Sequence, residues 1–152
     1  MNKVKTYAGG CLCGAIRFVA SGPALNPHTC SCKRCQRHSG ALTQIWVEFP
    51  KDSVQWVGAG GMPATWRSSA YSSRAFCSNC GSTLGAIDDN PTIALVLGVF
   101  DSPNSKELAP TKHSFVSKRP KWWRVSSVIT GKALHNPSRL SPYCDQASGE
   151  DE

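Results

Sequence analysis

Long apolar runs are missing from these 152 residues. The longest near-continuous one, "IALVLGVF" at Ile93 to Phe100, falls far short of the roughly 20 residues a membrane-spanning helix requires. Nor does the start resemble a signal peptide. "MNKVKTYAGGCLCG" reaches a glycine pair and a cysteine before any apolar stretch begins. These absences predict a soluble, cytoplasmic protein with no membrane partner. No internal repeat at solenoid spacing is visible, and one helical turn at most is expected. Acidic residues are scarce as well: up to Cys144 the chain carries 17 Lys and Arg against 6 Asp and Glu. The other four acids lie in the last eight positions, where "ASGEDE" has too little apolar content to fold. A basic body favours anionic partners.

Cysteine, by contrast, is abundant. Seven of the eight fall in tight groups, Cys11 and Cys13, Cys30, Cys32 and Cys35, and Cys77 and Cys80, with Cys144 apart as a spare thiol. In a reducing compartment such groups point to metal binding or redox chemistry rather than disulfides. "FCSNCGS" has knuckle spacing, two thiols followed by Gly81, whose left-handed turn lets backbone amides point at sulfur. "GCLCGAI" is a tighter version followed by Gly14. Together Cys11, Cys13, Cys77 and Cys80 make a closed, structural four-thiolate site across the 63 residues between Cys13 and Cys77. The bland alternative is four buried cysteines, and an iron–sulfur cluster is a second possible occupant.

The remaining trio, Cys30, Cys32 and Cys35, leaves one tetrahedral position open, as catalytic zinc sites do. Alternatively His38, one helical turn past Cys35, or His28 fills that position and the site is inert. With zinc on both clusters, the body charge falls from +11 to about +8 and the surface stays basic.

Between turn signals such as "SGP", "GAGGMP" and "DDNP" lie short branched or aromatic runs. "LTQIWVEF" alternates, Ile45, Val47 and Phe49 against Gln44, Trp46 and Glu48, which predicts a half-buried strand. "TIALVLGVF" is apolar on both faces and predicts a central buried strand. Further strands are expected at 15–20, 54–57, 64–68, 83–87, 113–116 and 123–128, with the helical turn at Lys33 to Ser39. The expected fold is mainly β: a single zinc-ribbon-like domain of short antiparallel strands over 1–135, then a C-terminal extension over 136–152.

The motifs "GGCLCGAIRF", "CSCKRCQRHSGA", "FCSNCGSTL" and "LAPTKHSFVSKRPKWW" occur in that order. In these the chain resembles the glutathione-dependent formaldehyde-activating enzyme family from about Thr6 to Leu134. The resemblance implies a structural zinc on Cys11, Cys13, Cys77 and Cys80 and a catalytic zinc on Cys30, Cys32 and Cys35. It implies a carbon–sulfur lyase activity that joins glutathione and formaldehyde as S-(hydroxymethyl)glutathione. Family members commonly carry His where this chain has Ser31, a departure that bears on substrate and tuning.

Glutathione carries two carboxylates, and Lys33, Arg34 and Arg37 beside the trio are placed to meet them; facing water, or balancing the zinc site, is the alternative. His113 is a candidate proton shuttle or hydrogen-bond donor, or simply a packed ring. "KRPKWWRV" interleaves bases with Trp122 and Trp123, which invites a competing reading as a zinc-ribbon binding module for nucleic acid or another acidic partner.

Overall fold

The structure is a computed structural model and describes residues 3–125. Two sheets face each other across a core. The smaller holds β1 (Thr6–Gly10), β2 (Arg17–Ser21) and β5 (Val54–Trp56) in the order β1-β2-β5. The larger holds β3 (Leu25–Cys30), β4 (Gln44–Pro50), β6 (Ala64–Arg67), β7 (Ser72–Phe76), β8 (Thr83–Asp88), β9 (Thr92–Val96) and β10 (His113–Ser114). Its order is β10-β3-β4-β9-β8-β7-β6. Every pairing is antiparallel except β10 with β3. The fold is mainly β, as the sequence predicts.

Strand alternation decides what each face of the large sheet does. Val47, Phe49, Ile93 and Leu95 point at the small sheet and close a core with Tyr7, Phe18, Ala20 and Phe100. Phe18 and Phe100 meet edge to face at 5.2 Å between ring centres. Gly9 is required here, because a Cβ on it would sit 2.3 Å from the Val99 carbonyl oxygen and 2.5 Å from the Phe18 ring.

The opposite face corrects the first reading of β4. Gln44, Trp46 and Glu48 form no solvent-facing side: all three are buried, Trp46 against Cys35 of α1 (Lys33–Ser39), the one α-helix among the described residues, and Glu48 against Asn26. The helix occupies the residues expected of it. Cys32 caps its start, accepting from the Cys35 amide, and Gly40 ends it at φ 73°.

β9 is central, flanked by β4 and β8, but shorter than expected, turning into a 3-10 turn over Leu97–Val99. Three strands went unread. β1 is glycine-rich, β7 is mostly polar, and β3 contains Pro27 and Asn26 at positive φ where its register shifts against β4. Residues 123–125 are not strand. The rest of the expected strand at 123–128, the 135 boundary, Cys144 and the acidic end lie outside the described residues.

Candidate metal centres and the cleft beside them

Two chain reversals bring the first cluster together. After β1, the Cys11 amide donates to the Ile16 carbonyl at 3.0 Å; after β7, the Cys77 amide donates to the Ser82 carbonyl at 3.0 Å. Each reversal carries its glycine in the left-handed region, Gly14 at φ 78° and Gly81 at φ 77°. The four sulfurs of Cys11, Cys13, Cys77 and Cys80 lie within 4.8 Å of one another, with Cys11 to Cys13 at 3.6 Å and Cys13 to Cys77 at 3.8 Å. A tetrahedron with zinc–sulfur bonds of about 2.3 Å has edges of about 3.8 Å. The spacing therefore fits such an ion.

Electrostatics point the same way. The Ile16 amide and the Asn79 side chain donate to Cys11 Sγ and Cys13 Sγ, both at 3.2 Å. The Ser82 hydroxyl and amide bring Cys80 down to about 5. At Cys77 the Cys80 amide pulls downward, yet burial and the thiols of Cys11 and Cys80 outweigh it and push the group up to about 11. Four thiolates crowded this closely repel each other, and a divalent cation removes the conflict.

The second cluster is local. β3 ends on Cys30 and α1 begins after Cys32, so Cys30, Cys32 and Cys35 converge within 4.8 Å, all buried. The hydrogen bond with Cys35 is the main influence that lowers Cys32 to about 6, against burial; the Arg74 charge helps. Cys35 is raised well above its ordinary value by the same bond and by burial. Cys30 is disulfide-bonded in this structure, an exception to the expectation of reduced thiols, so the trio can hold a metal only once that bond is reduced.

Among the described residues, no ring nitrogen joins the three sulfurs within 4.8 Å. His28 is fully buried, its Nδ1 2.7 Å from the Asn26 carbonyl oxygen, and burial lowers it to about 4. Burial and, next, the Arg74 charge lower His38 to about 4 as well.

The basic residues divide. Arg34, Arg37 and His38 line a cavity of about 570 Å³ with Arg74, Trp66 and Phe76. Lys33 is not among its walls and donates to Gln36 at 3.1 Å on the exposed side of α1. Arg74 was not foreseen. Only 3% exposed, it reaches Cys35 Sγ with Nη1 at 3.8 Å and lies 5.4 Å from the Trp46 ring centre. It joins the cavity to the cysteine trio. The alternation of Ser72, Arg74 and Phe76 was the only trace of its inward position.

Ser31 is buried with its Oγ 2.7 Å from His113 Nε2 and 2.8 Å from Thr43 Oγ1. The Trp123 indole donates to Thr43 at 3.0 Å. His113 thus braces the loop between Cys30 and Cys32, and burial followed by the Arg119 charge lowers its pKa. Neither tryptophan is in a strand and both are exposed, Trp122 at 73% and Trp123 at 37%, the latter held to Thr43 by its indole.

Residues 6–118 match the family model described as glutathione-dependent formaldehyde-activating enzyme. The chain belongs to that family. Its family region runs from β1 through the last 3-10 turn and contains both cysteine clusters, Arg74 and His113, but stops before the tryptophan pair. A Rhodobacter sphaeroides protein of known crystal structure is similar at 19% identity with a TM-score of 0.55. That match covers 70% of this chain and 99% of the other, and shows a shared fold. No curated protein matches this family member. Among the described residues no helix is long and apolar enough to cross a membrane.

Proposed function

We propose that the chain is a zinc-dependent carbon–sulfur lyase or synthase that joins a small thiol to formaldehyde. With glutathione the adduct is S-(hydroxymethyl)glutathione. The observation that carries this reading is the cysteine trio, three converging sulfurs with no histidine among them. Zinc held there would supply a Lewis-acidic position that turns an incoming thiol into a thiolate near neutral pH.

The chain's own residues do the rest. Cys30, Cys32 and Cys35 hold the ion, and the Arg74 guanidinium beside Cys35 offsets negative charge on the sulfurs. Arg34 and Arg37 reach from α1 into the cavity that Arg74 also lines, where they would bind the carboxylates of glutathione. Lys33, outside that lining, drops from this role. Ser31, held by His113 and Thr43, fixes the loop between the first two cysteines. The cluster of Cys11, Cys13, Cys77 and Cys80 is structural, a second zinc that fastens the turn after β1 to the turn after β7. A reducing cytoplasm suits both sites, since each needs thiolates.

Cobalt substitution tests the reading. In reduced protein loaded with two cobalt ions, millimolar glutathione should shift the thiolate and d–d bands of one ion and leave the other unchanged. A spectrum indifferent to glutathione, or one showing imidazole on the second ion, would remove the thiol-binding role and favour an inert binding module.

A further inference from the structure

The cavity that Arg74 joins to the cysteine trio has two unlike walls. Arg34, Arg37 and His38 stand three and four positions apart on α1, share one face of it and form the first wall. Trp66 of β6, with Arg74 and Phe76 of β7, forms the second. Register sets Trp66 directly opposite Arg74, while Arg67, the next residue, pairs with Asp89 at 2.6 Å. The Thr83 hydroxyl donates to the His38 carbonyl at 2.9 Å, which ties the end of α1 to β8.

Trp66 is 66% exposed, whereas Trp46 is fully buried. An indole left open to solvent adds little to a core, and one that lines a cavity offers its ring to whatever enters. None of the residues lining this cavity is acidic. Its walls therefore combine two aromatic rings with three guanidiniums, a match for a flat apolar ring that bears an acid. Glutathione supplies acids but no ring. Its carboxylates would engage the arginines and leave Trp66 and Phe76 without a partner of their own kind.

We propose that this cavity is a site for an aryl carboxylate, with the flat ring against Trp66 and Phe76 and the acid on Arg34 and Arg37, and that the thiols this chain handles carry such a group. The inference rests on the thiol-binding reading above and specifies what the thiol bears. Arg74 makes the connection, because it lines the cavity and also reaches Cys35 Sγ at 3.8 Å.

The test is calorimetric titration of the reduced, zinc-loaded protein with 4-(mercaptomethyl)benzoate and with 4-(mercaptomethyl)cyclohexanecarboxylate. Both are alkyl thiols with one carboxylate, and only the first has a flat ring. The aryl thiol should bind about three- to tenfold more tightly, the scale of one aromatic pair. Trp66→Ala should close that gap and Trp66→Phe should keep most of it; Trp66 is exposed on the outermost strand of the sheet, so neither change reaches the core. Arg34→Gln should weaken both thiols alike, and if it weakened neither, the acid would not lie here and the proposal would fall. Affinities within about twofold of each other in the unaltered protein, or a gap that survives Trp66→Ala, would overturn the aryl site. Binding of glutathione with neither ring compound bound would overturn it as well, and leave the thiol reading intact. Binding of 4-methylbenzoate, which has the ring and the acid but no sulfur, when no thiol binds would uphold the aryl site and remove the thiol reading.

Discussion

Replacing Glu48 with glutamine should change how stability depends on pH, in a direction its burial fixes. Burial is the chief cause that raises this carboxyl from 4.5 to about 7; the Asn26 hydrogen bond and the Lys112 charge pull against it, and Asp88 adds to it. Between those two pH values the folded chain holds a proton on Glu48 that the unfolded chain has released. Stability falls with rising pH wherever the folded state binds more protons, so the loss begins near 4.5 and is complete just above 7. At about 1.4 kcal/mol per decade of proton activity the full loss is roughly 3 kcal/mol, of which about 2.5 kcal/mol falls between pH 5 and 8. Glutamine keeps the shape and can still accept from Asn26, but it does not titrate.

Urea unfolding of zinc-loaded protein, followed by tryptophan fluorescence, gives the comparison directly. Metal release at low pH affects both proteins alike, so the difference between them isolates Glu48. Glu48→Gln should gain about 2 to 3 kcal/mol on the unaltered chain as pH rises from 5 to 8. Parallel curves would mean that Glu48 is already ionised across this range and that its burial carries no such penalty.

Cys35→Ser should reduce the metal content from two ions to one with the fold intact, whereas Cys80→Ser should lower the thermal midpoint steeply or abolish soluble expression, since structural zinc contributes about 10–16 kcal/mol in small metal-dependent folds. Metal analysis with circular dichroism reads both, and equal damage from the two would contradict the division into structural and reactive sites. Arg74→Gln should weaken metal binding at the trio by about tenfold or more in chelator competition, because it removes a cation beside Cys35, and should leave the four-cysteine site unchanged; equal weakening of both would mean a general loss of folding. Ser31→Ala removes the oxygen that meets both His113 and Thr43 and should cost about 1–2 kcal/mol of stability. A change below about 0.3 kcal/mol in urea unfolding would show that the network does not brace this loop.

Much of this was legible in residue spacing. The cysteine groups, the helical turn at Lys33 to Ser39 and the two-faced pattern of β4 came from local rules that tertiary contacts did not overrule. What escaped was set by contacts distant in sequence. The identities of Gln44, Trp46 and Glu48 tell which way they point but not that Cys35 of α1 packs on Trp46 or that Asn26 meets Glu48, so a buried face read as the open side of a half-buried strand. Arg74 and Asp88 were hidden for the same reason: charged residues at inward positions look like surface until the neighbouring strands are known. β3 was missed because Pro27 and the positive φ of Asn26 interrupt the alternation that marks a strand.

The two clusters also differ in how much chain each one needs. Cys30, Cys32 and Cys35 are all made within six residues, whereas the cage at Cys11 and Cys13 cannot close before Cys80 emerges from the ribosome. During synthesis the trio is thus complete while the four-cysteine cluster is still half built. The four-cysteine cluster, by contrast, has to wait for the turn after β7.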